Sequence, residues 1–388
     1  MLIHASRVLT WPRGNYITDG AVLVKDGVIA AVGTREELRA AHPDEPVLHH
    51  ADSTLLPGLI DAHAHLASGG GPDPVAALGQ SVETTLLEAM RGRAEQLLRS
   101  GVTTVRDLGD GGHLALRLGD EVAEGAVAGP RIISAGIPIT PPGRPGSAPG
   151  GEVSGEDEIR ALIRRNASAG AQVTQVMFTG GGGRQFTQAE LTAVRLESLA
   201  ARVRVVAHAH SRDSITAAVA ADVDTIEFCS MAEDSIEIDE QLLDEIIHWD
   251  ISVCPAISPT WPILPRVIGE ERADAICAAV LQMAEAGVRL IAGSDAGGRW
   301  AGHEGFGLAS TLEFYEYLGL SNDRIVEMAT SEAAQALGVG DKTGRIAVGY
   351  SADLLVVRGN PLSDLSALRE IREVFAAGTR CHSAMAQV

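Results

Sequence analysis

Leu-Leu-Pro-Gly-Leu-Ile-Asp-Ala-His-Ala-His-Leu, residues 55–66, is an apolar run that ends with two histidines, His63 and His65. Successive side chains of a β-strand point to opposite faces, so residues i and i+2 share a face. Two imidazoles at that spacing are able to bind one metal ion. The stretch therefore predicts a buried strand that ends at a metal site.

Two later apolar runs also end in candidate ligands. Residues 205–207 lead into His208 and His210, and residues 290–294 lead into Asp295. Between residues 56 and 339, apolar strand candidates alternate with amphipathic helix candidates, a pattern that predicts βα units around a parallel sheet. The strand candidates are residues 59–63, 102–107, 131–135, 173–178, 203–208, 224–228, 251–255 and 288–295. Eight is the strand number of a TIM barrel.

Both ends of the chain have a different pattern, with short strands and turns. Lys25-Asp26-Gly27-Val28 lies between two β-branched runs and predicts a tight hairpin. After Gly338 strand candidates return at 352–358 and 371–376. We expect the two β-rich ends to pack together as one small sheet unit beside the barrel.

Charge and composition limit the partners. The formal charge of −20 argues against nucleic acid or an anionic membrane as a partner. The expected partner is a small-molecule substrate, with a homo-oligomer left open. No run of about 18 apolar residues predicts a membrane span, so we expect a cytoplasmic protein. The four cysteines lack the close spacing of a structural zinc site and are expected to be reduced core thiols.

Together these motifs resemble the metal-dependent amidohydrolase superfamily, in its imidazolonepropionase-like and Xaa-Pro or Xaa-Arg dipeptidase-like branch. Besides residues 55–66, the resemblance includes GVTTVRDL at 101–108, VAHAH at 206–210, GSD at 293–295 and GYSADL at 349–354. It implies an α/β fold, with a (β/α)8 TIM barrel over residues 56–339 and a composite β-sandwich from residues 1–55 plus 340–388. It also implies a metal at the C-terminal rim and hydrolysis of amide-like bonds.

The chain departs from that family at the second metal ion. Binuclear members carry a fourth-strand lysine, which is carboxylated to bridge both ions. Gln175 stands at that position, and the two lysines of the chain, Lys25 and Lys342, lie in the terminal segments. Phe228 replaces the sixth-strand histidine that binds the second ion. These substitutions predict a mononuclear site.

The ligands that match the family pattern are His63, His65, His208 and Asp295. Three imidazole nitrogens and one carboxylate suit one Zn²⁺ per chain, with Fe or Mn as open alternatives. Asp295 is also the predicted catalytic base for the attacking water. His210 lies on the same strand face as His208 and could exchange roles with it. We favour His208 as the ligand and His210 as a catalytic hydrogen-bond donor to the substrate.

Three further residues are predicted to contact substrate. Gln175 would point into the metal pocket and hold a carbonyl or amide, although a buried packing amide is an equal alternative. His303 follows the last strand candidate and would cover the pocket, unless it is a solvated loop histidine. Arg144 is the third, in a Gly/Pro-rich loop where Gly143-Arg144-Pro145 stands in place of the Gly-Gly-His of the family.

The first functional hypothesis is a mononuclear zinc-dependent amidohydrolase that cleaves an N-acyl amino acid, a dipeptide or a lactam. The alternative is a metal-dependent lyase or decarboxylase, or a cyclase or isomerase, on the same scaffold. A non-catalytic small-molecule-binding protein is the third. Hydrolytic deamination is disfavoured. Deaminases of this superfamily that use one zinc ion carry a glutamate three residues after the fifth-strand histidine, and Ser211 stands at that position.

Overall fold

The computed structural model describes residues 1–10, 15–70, 82–143, 151–178, 184–231, 238–298 and 307–383. The strands are β1 (Leu2–Leu9), β2 (Tyr16–Lys25), β3 (Val28–Thr34), β4 (Val47–Pro57), β5 (Leu59–Ala64), β6 (Val102–Asp107), β7 (Arg131–Ser134), β8 (Val173–Met177), β9 (Arg204–Ala209), β10 (Thr225–Phe228), β11 (Ser252–Cys254), β12 (Leu354–Arg358), β13 (Ile371–Ala376) and β14 (Thr379–Ser383).

Helices separate most strands after β5, as the sequence pattern predicts. The α-helices are α1 (Arg35–Ala41), α2 (Glu83–Arg99), α3 (Leu114–Ala123), α4 (Glu156–Ser168), α5 (Gln188–Ala201), α6 (Arg212–Ala220), α7 (Glu240–His248), α8 (Leu264–Ile268), α9 (Glu270–Ala286), α10 (Ala309–Tyr317), α11 (Asn322–Met328) and α12 (Ser331–Ala336). Short 3₁₀ helices occur at Trp261–Ile263 and Leu365–Arg369. No helix in the described ranges is long and apolar enough to cross a membrane.

Several helices begin where the sequence provides a cap. Thr34 and Thr187 each accept a hydrogen bond from the backbone three residues on, and Glu37 and Glu190 bond back to the cap. This reciprocal capping box satisfies backbone donors that a helix start leaves without partners. Ser211 caps α6 in the same way, through Ser214. The residue that replaces a deaminase glutamate therefore has a structural role.

The two ends of the chain share one seven-stranded sheet, in the order β14-β13-β12-β4-β1-β2-β3. β1 pairs in parallel with β4 and antiparallel with β2, while β4 pairs antiparallel with β12. Buried Ile3, Val22, Leu55, Leu354 and Phe375 belong to the core of this sheet. The N-terminal and C-terminal segments are thus joined, as expected; the residue bounds given above for the two domains stay a prediction.

The middle of the chain forms two parallel sheets, β5-β6-β7 and β11-β10-β9-β8. Backbone hydrogen bonds join these sheets beyond the end of β7, where Ile139 donates to the Gln175 carbonyl at 2.8 Å. A continuous apolar core, which includes Leu59, Val105 and Val205, is packed with residues of the surrounding helices. The order of strands is the one that a barrel requires.

The eighth strand candidate, residues 288–295, completes the ring between β11 and β5. Ile291 donates to the Val253 carbonyl, and Ala62 donates to the Ala292 carbonyl, both at 2.9 Å. The segment is irregular at its end, since Asp295 has a φ of 49°. Hydrogen bonds on both sides nevertheless place it where the eighth strand of a barrel belongs. The predicted α/β fold is confirmed.

Candidate metal centre

Backbone hydrogen bonds hold the first and last barrel segments side by side at the rim. Asp295 donates to the His63 carbonyl at 2.9 Å, and His65 donates to the Ala296 carbonyl at 2.7 Å. Below them the carboxylate of Asp61 accepts from the backbone amides of His63 and Ser294. Two segments more than 200 residues apart in sequence therefore present their side chains to one place.

Three of the four predicted ligands converge there. The Oδ1 atom of Asp295 lies 3.5 Å from Nε2 of His63 and 3.7 Å from Nε2 of His65. These three residues form a group of candidate ligand atoms that all lie within 4.8 Å of one another, and His208 is not in that group. The two imidazoles are nearly perpendicular, with ring centroids 5.2 Å apart.

The chemistry of these residues fits a divalent cation. Nε2 of His63 is buried and has no hydrogen-bond partner among the described residues, although Nδ1 of the same ring has one. A buried polar atom without a partner is unfavourable, and such atoms are rare in folded proteins. A cation held between His63, His65 and Asp295 would give this nitrogen a partner. Imidazole nitrogen and carboxylate oxygen are common ligands for zinc.

Burial controls the charge of these ligands. It lowers the pKa of His65 to about 3, so this imidazole is neutral and retains a lone pair. It also raises the pKa of the Asp295 carboxyl to about 6. For His63, burial favours the neutral form, but the hydrogen bond to Glu227 outweighs it and raises the pKa.

Glu227 and Arg106 are two further candidates for a functional role. The sequence patterns assign no role to Glu227 and only a supporting one to Arg106. Both are buried, and NH2 of Arg106 donates to Oε1 of Glu227 at 2.5 Å. The other carboxylate oxygen lies 2.7 Å from Nδ1 of His63. From the sequence, Arg106 at the end of a strand candidate is expected only to brace the rim. One signal was present in the sequence: a glutamate and an arginine within apolar strand runs each need a buried partner.

Phe228 lies among the imidazoles at the end of β10. Its ring centroid is 5.2 Å from that of His63, 4.8 Å from that of His208 and 4.4 Å from that of His210. Its φ of 71° is unusual for a bulky residue and interrupts the alternation of the strand. An aromatic ring that offers no metal ligand thus occupies part of the space next to the predicted site.

The remaining predicted residues that the structure describes lie on β8 and at the end of β9. The rings of His208 and His210 lie 4.9 Å apart, and Nδ1 of His210 is 3.2 Å from Oγ of Ser230. Gln175 is buried on β8, and no residue within the described ranges donates a hydrogen bond to its Oε1 atom. The roles of these residues, and of His63, His65 and Asp295 as ligands, stay predictions. Arg144 and His303 lie outside the described residues.

Sequence comparison finds two family models in this chain. The model described as "Amidohydrolase family" matches residues 54–381, and the model described as "Imidazolonepropionase-like composite domain, bacteria" matches residues 20–44. Ochratoxinase from Aspergillus niger is 26% identical over an alignment 412 positions long, which covers 93% of this chain and 82% of ochratoxinase.

Comparison with solved structures agrees with the sequence matches. A Xaa-Pro dipeptidase with bound methionine has a TM-score of 0.82 and 25% identity, with 99% of each chain covered. A putative prolidase from Bifidobacterium longum has a TM-score of 0.81 and 27% identity, covering 98% of this chain and 93% of the prolidase. Similarity over nearly the full length means that both the barrel and the terminal sheet are shared.

Proposed function

Because the chain belongs to the amidohydrolase family, we propose that it is a metal-dependent hydrolase that cleaves an amide-like C–N bond with one zinc ion. The observation that carries this proposal is the buried Nε2 atom of His63, which has no hydrogen-bond partner and lies 3.5 Å from the Asp295 carboxylate. The large majority of buried polar side-chain atoms have a hydrogen-bond partner, and a cation at this nitrogen would supply the missing contact.

The proposed ligands are His63, His65 and Asp295, with His208 completing the set from β9. A single ion is proposed because Gln175 and Phe228 occupy the positions where binuclear relatives hold the second ion. Gln175 offers a neutral amide and Phe228 only an aromatic ring. Iron or manganese in place of zinc would use the same ligands.

A zinc ion held by His63, His65, His208 and Asp295 would act as a Lewis acid and make a water molecule nucleophilic at neutral pH. Asp295 lies beside His63 and His65 and accepts the proton of the attacking water. His210 donates a hydrogen bond to the scissile carbonyl as negative charge develops on its oxygen. The free Oε1 atom of Gln175 accepts a hydrogen bond from an N–H group of the substrate.

An N-acyl amino acid, a dipeptide or a lactam is the proposed substrate. Each contains a carbonyl for His210 and a nitrogen substituent near Gln175. The similar Xaa-Pro dipeptidase and ochratoxinase support a small substrate with a C–N bond. We place the protein in the cytoplasm with a small-molecule partner; neither nucleic acid nor a membrane is part of this proposal.

Metal analysis and turnover test the proposal together. We expect about one zinc per chain after purification without chelator, and chelator-sensitive release of an amine and a carboxylate from a panel of N-acyl amino acids, dipeptides and lactams. His63→Asn should abolish both metal binding and turnover, whereas His248→Asn, on the exposed end of α7, should change neither. Loss of carbon dioxide without amine release would favour a lyase. A chain that binds no metal would contradict the proposal.

A further inference from the structure

A series of buried hydrogen bonds connects Arg106 on β6 and Glu227 on β10 with His63. Arg106 donates from Nε to the Ala62 carbonyl at 2.7 Å and from NH2 to Glu227 at 2.5 Å, and Glu227 in turn contacts Nδ1 of His63 at 2.7 Å. The side chain of Glu227 is fully buried and that of Arg106 is 2% exposed. Removing two charges from water is unfavourable, so such a pair needs compensating contacts.

Both carboxylate oxygens of Glu227 have an assigned partner, and this decides where the proton of His63 sits. A carboxylate only accepts hydrogen bonds, so neutral His63 must donate to it from Nδ1–H. The lone pair of the ring is then on Nε2, the atom that faces Asp295. Arg106 prevents Glu227 from turning away, because it holds one oxygen of the carboxylate and, through Ala62, the backbone next to His63.

We propose that Glu227, anchored by Arg106, is a positioning residue that keeps the proton of His63 on Nδ1 and leaves Nε2 free to bind the metal ion. This inference rests on the proposed metal site. A carboxylate that orients a ligating histidine fixes its tautomer and increases its basicity, and loss of such a partner commonly weakens metal binding by about 10- to 100-fold.

A competing interpretation would make Glu227 itself a ligand, since His63, Glu227 and Cys254 also lie within 4.8 Å of one another. Two observations argue against it. Both Glu227 oxygens already have partners, and Arg106 places a positive charge against the carboxylate. Burial raises the pKa of the Cys254 thiol well above its usual value in the metal-free protein.

The tautomer is tested first in the metal-free protein. Nitrogen-15 NMR of histidine-labelled protein distinguishes Nδ1–H from Nε2–H at a pH where the imidazole is neutral, and the signal missing from His63→Gln identifies the residue. We expect Nδ1–H in the wild-type chain and a shift toward Nε2–H in Glu227→Gln. A wild-type His63 that carries its proton on Nε2 would overturn the inference, whatever the metal content.

Metal affinity is tested second, with a matched control. Glu373 in the terminal sheet is as buried as Glu227 and is paired with Arg380, but it lies outside the site. We expect Glu227→Gln to weaken zinc binding by about 10- to 100-fold, and Glu373→Gln to leave zinc affinity unchanged even if it lowers the melting temperature. Glu227→Asp keeps the charge but shortens the side chain, so it should lose less zinc affinity than Glu227→Gln. It replaces Glu227→Gln in this measurement if that variant does not fold.

The outcomes separate this inference from the proposed function. If the wild-type chain binds no zinc, the proposed function fails, while the NMR measurement still decides the tautomer. If the wild-type chain binds zinc and Glu227→Gln binds it equally well, the inference fails and the metal site stands. Equal losses of zinc affinity in Glu227→Gln and Glu373→Gln would also contradict the inference about Glu227, because they would indicate a general effect of a broken ion pair.

Discussion

The ring of Phe228 stacks on the imidazole of His210, with centroids 4.4 Å apart and an angle of 30° between the planes. Phe228 adopts this position with a φ of 71°, a conformation that costs on the order of 1–3 kcal/mol for a residue other than glycine. A strained backbone conformation persists only where surrounding contacts hold the residue in place. The ring of Phe228 has such contacts with three histidine rings. Phe228 therefore shapes the side of the site where a second metal ion would lie.

Restoring the family residues should restore the second ion. We predict that Gln175→Lys combined with Phe228→His raises bound zinc from about one to about two per chain, because the pair supplies a bridging ligand and an imidazole. Each single variant should stay near one ion, since either ligand alone is insufficient. Elemental analysis after dialysis against low-zinc buffer measures this. About two ions in the wild-type chain would contradict the mononuclear assignment.

Asp61 should be essential to the geometry of the site. Its carboxylate accepts from the amides of His63 and Ser294 and from the Ser294 hydroxyl, at 3.2, 3.0 and 2.5 Å. In Asp61→Asn one acceptor becomes a donor, so we expect a loss of about 1–3 kcal/mol in the free energy of unfolding, together with weaker zinc binding. Ser294→Ala removes only the hydroxyl and should cost roughly 1 kcal/mol. Chemical denaturation and zinc titration give the two values, and wild-type zinc affinity in Asp61→Asn would refute this role.

Gly293 is predicted to tolerate no side chain. A Cβ atom there would lie 2.5 Å from Sγ of Cys254 and 2.7 Å from Cβ of His63, so Gly293→Ala must displace the ligand strand. We expect a lower melting temperature and loss of metal binding. Gly92, inside α2, has open space where a Cβ atom would stand, so Gly92→Ala should stabilise the protein by about 0.5–1 kcal/mol. Thermal unfolding compares the two, and a stable, zinc-binding Gly293→Ala would show that the rim can relax.

The contacts of Glu190 should make the free energy of unfolding depend on pH in the acid range. Burial raises its pKa, but the ion pair with Arg184 and hydrogen bonds from Thr187 and Gly155 outweigh this and lower the pKa to about 2. Because the pKa is lower in the folded than in the unfolded protein, this contribution is complete above pH of about 4.5 and is lost as the pH falls toward about 2. Glu190→Gln should flatten the dependence of melting temperature on pH in that window.

The control for Glu190 is the matching capping residue of α1. Glu37 makes the same capping box with Thr34, but it is exposed and pairs with no arginine in the part of the chain that the structure describes. Glu37→Gln should therefore change the acid stability less than Glu190→Gln. Equal pH profiles for the two variants would attribute the effect to the capping box alone and not to the ion pair with Arg184.

The sequence by itself determined the repeating pattern of the fold and part of the site. Apolar runs that alternate with amphipathic segments set the strands and helices, because burial of one face is a local property that periodicity records. His63, His65 and Asp295 were identifiable for the same reason, since each follows an apolar run. The comparisons confirm the family and the fold that these patterns predicted.

Only the tertiary structure decided which side chains share the interior of the barrel. Glu227 reaches His63 across 164 residues of sequence and Arg106 across 121. No local pattern specifies these contacts, because they depend on the register that sets Glu227 beside His208 in adjacent parallel strands. The left-handed backbone of Phe228 likewise breaks the alternation from which the sequence interpretation began. Long-range packing fixes such contacts, and periodicity along the chain cannot encode them.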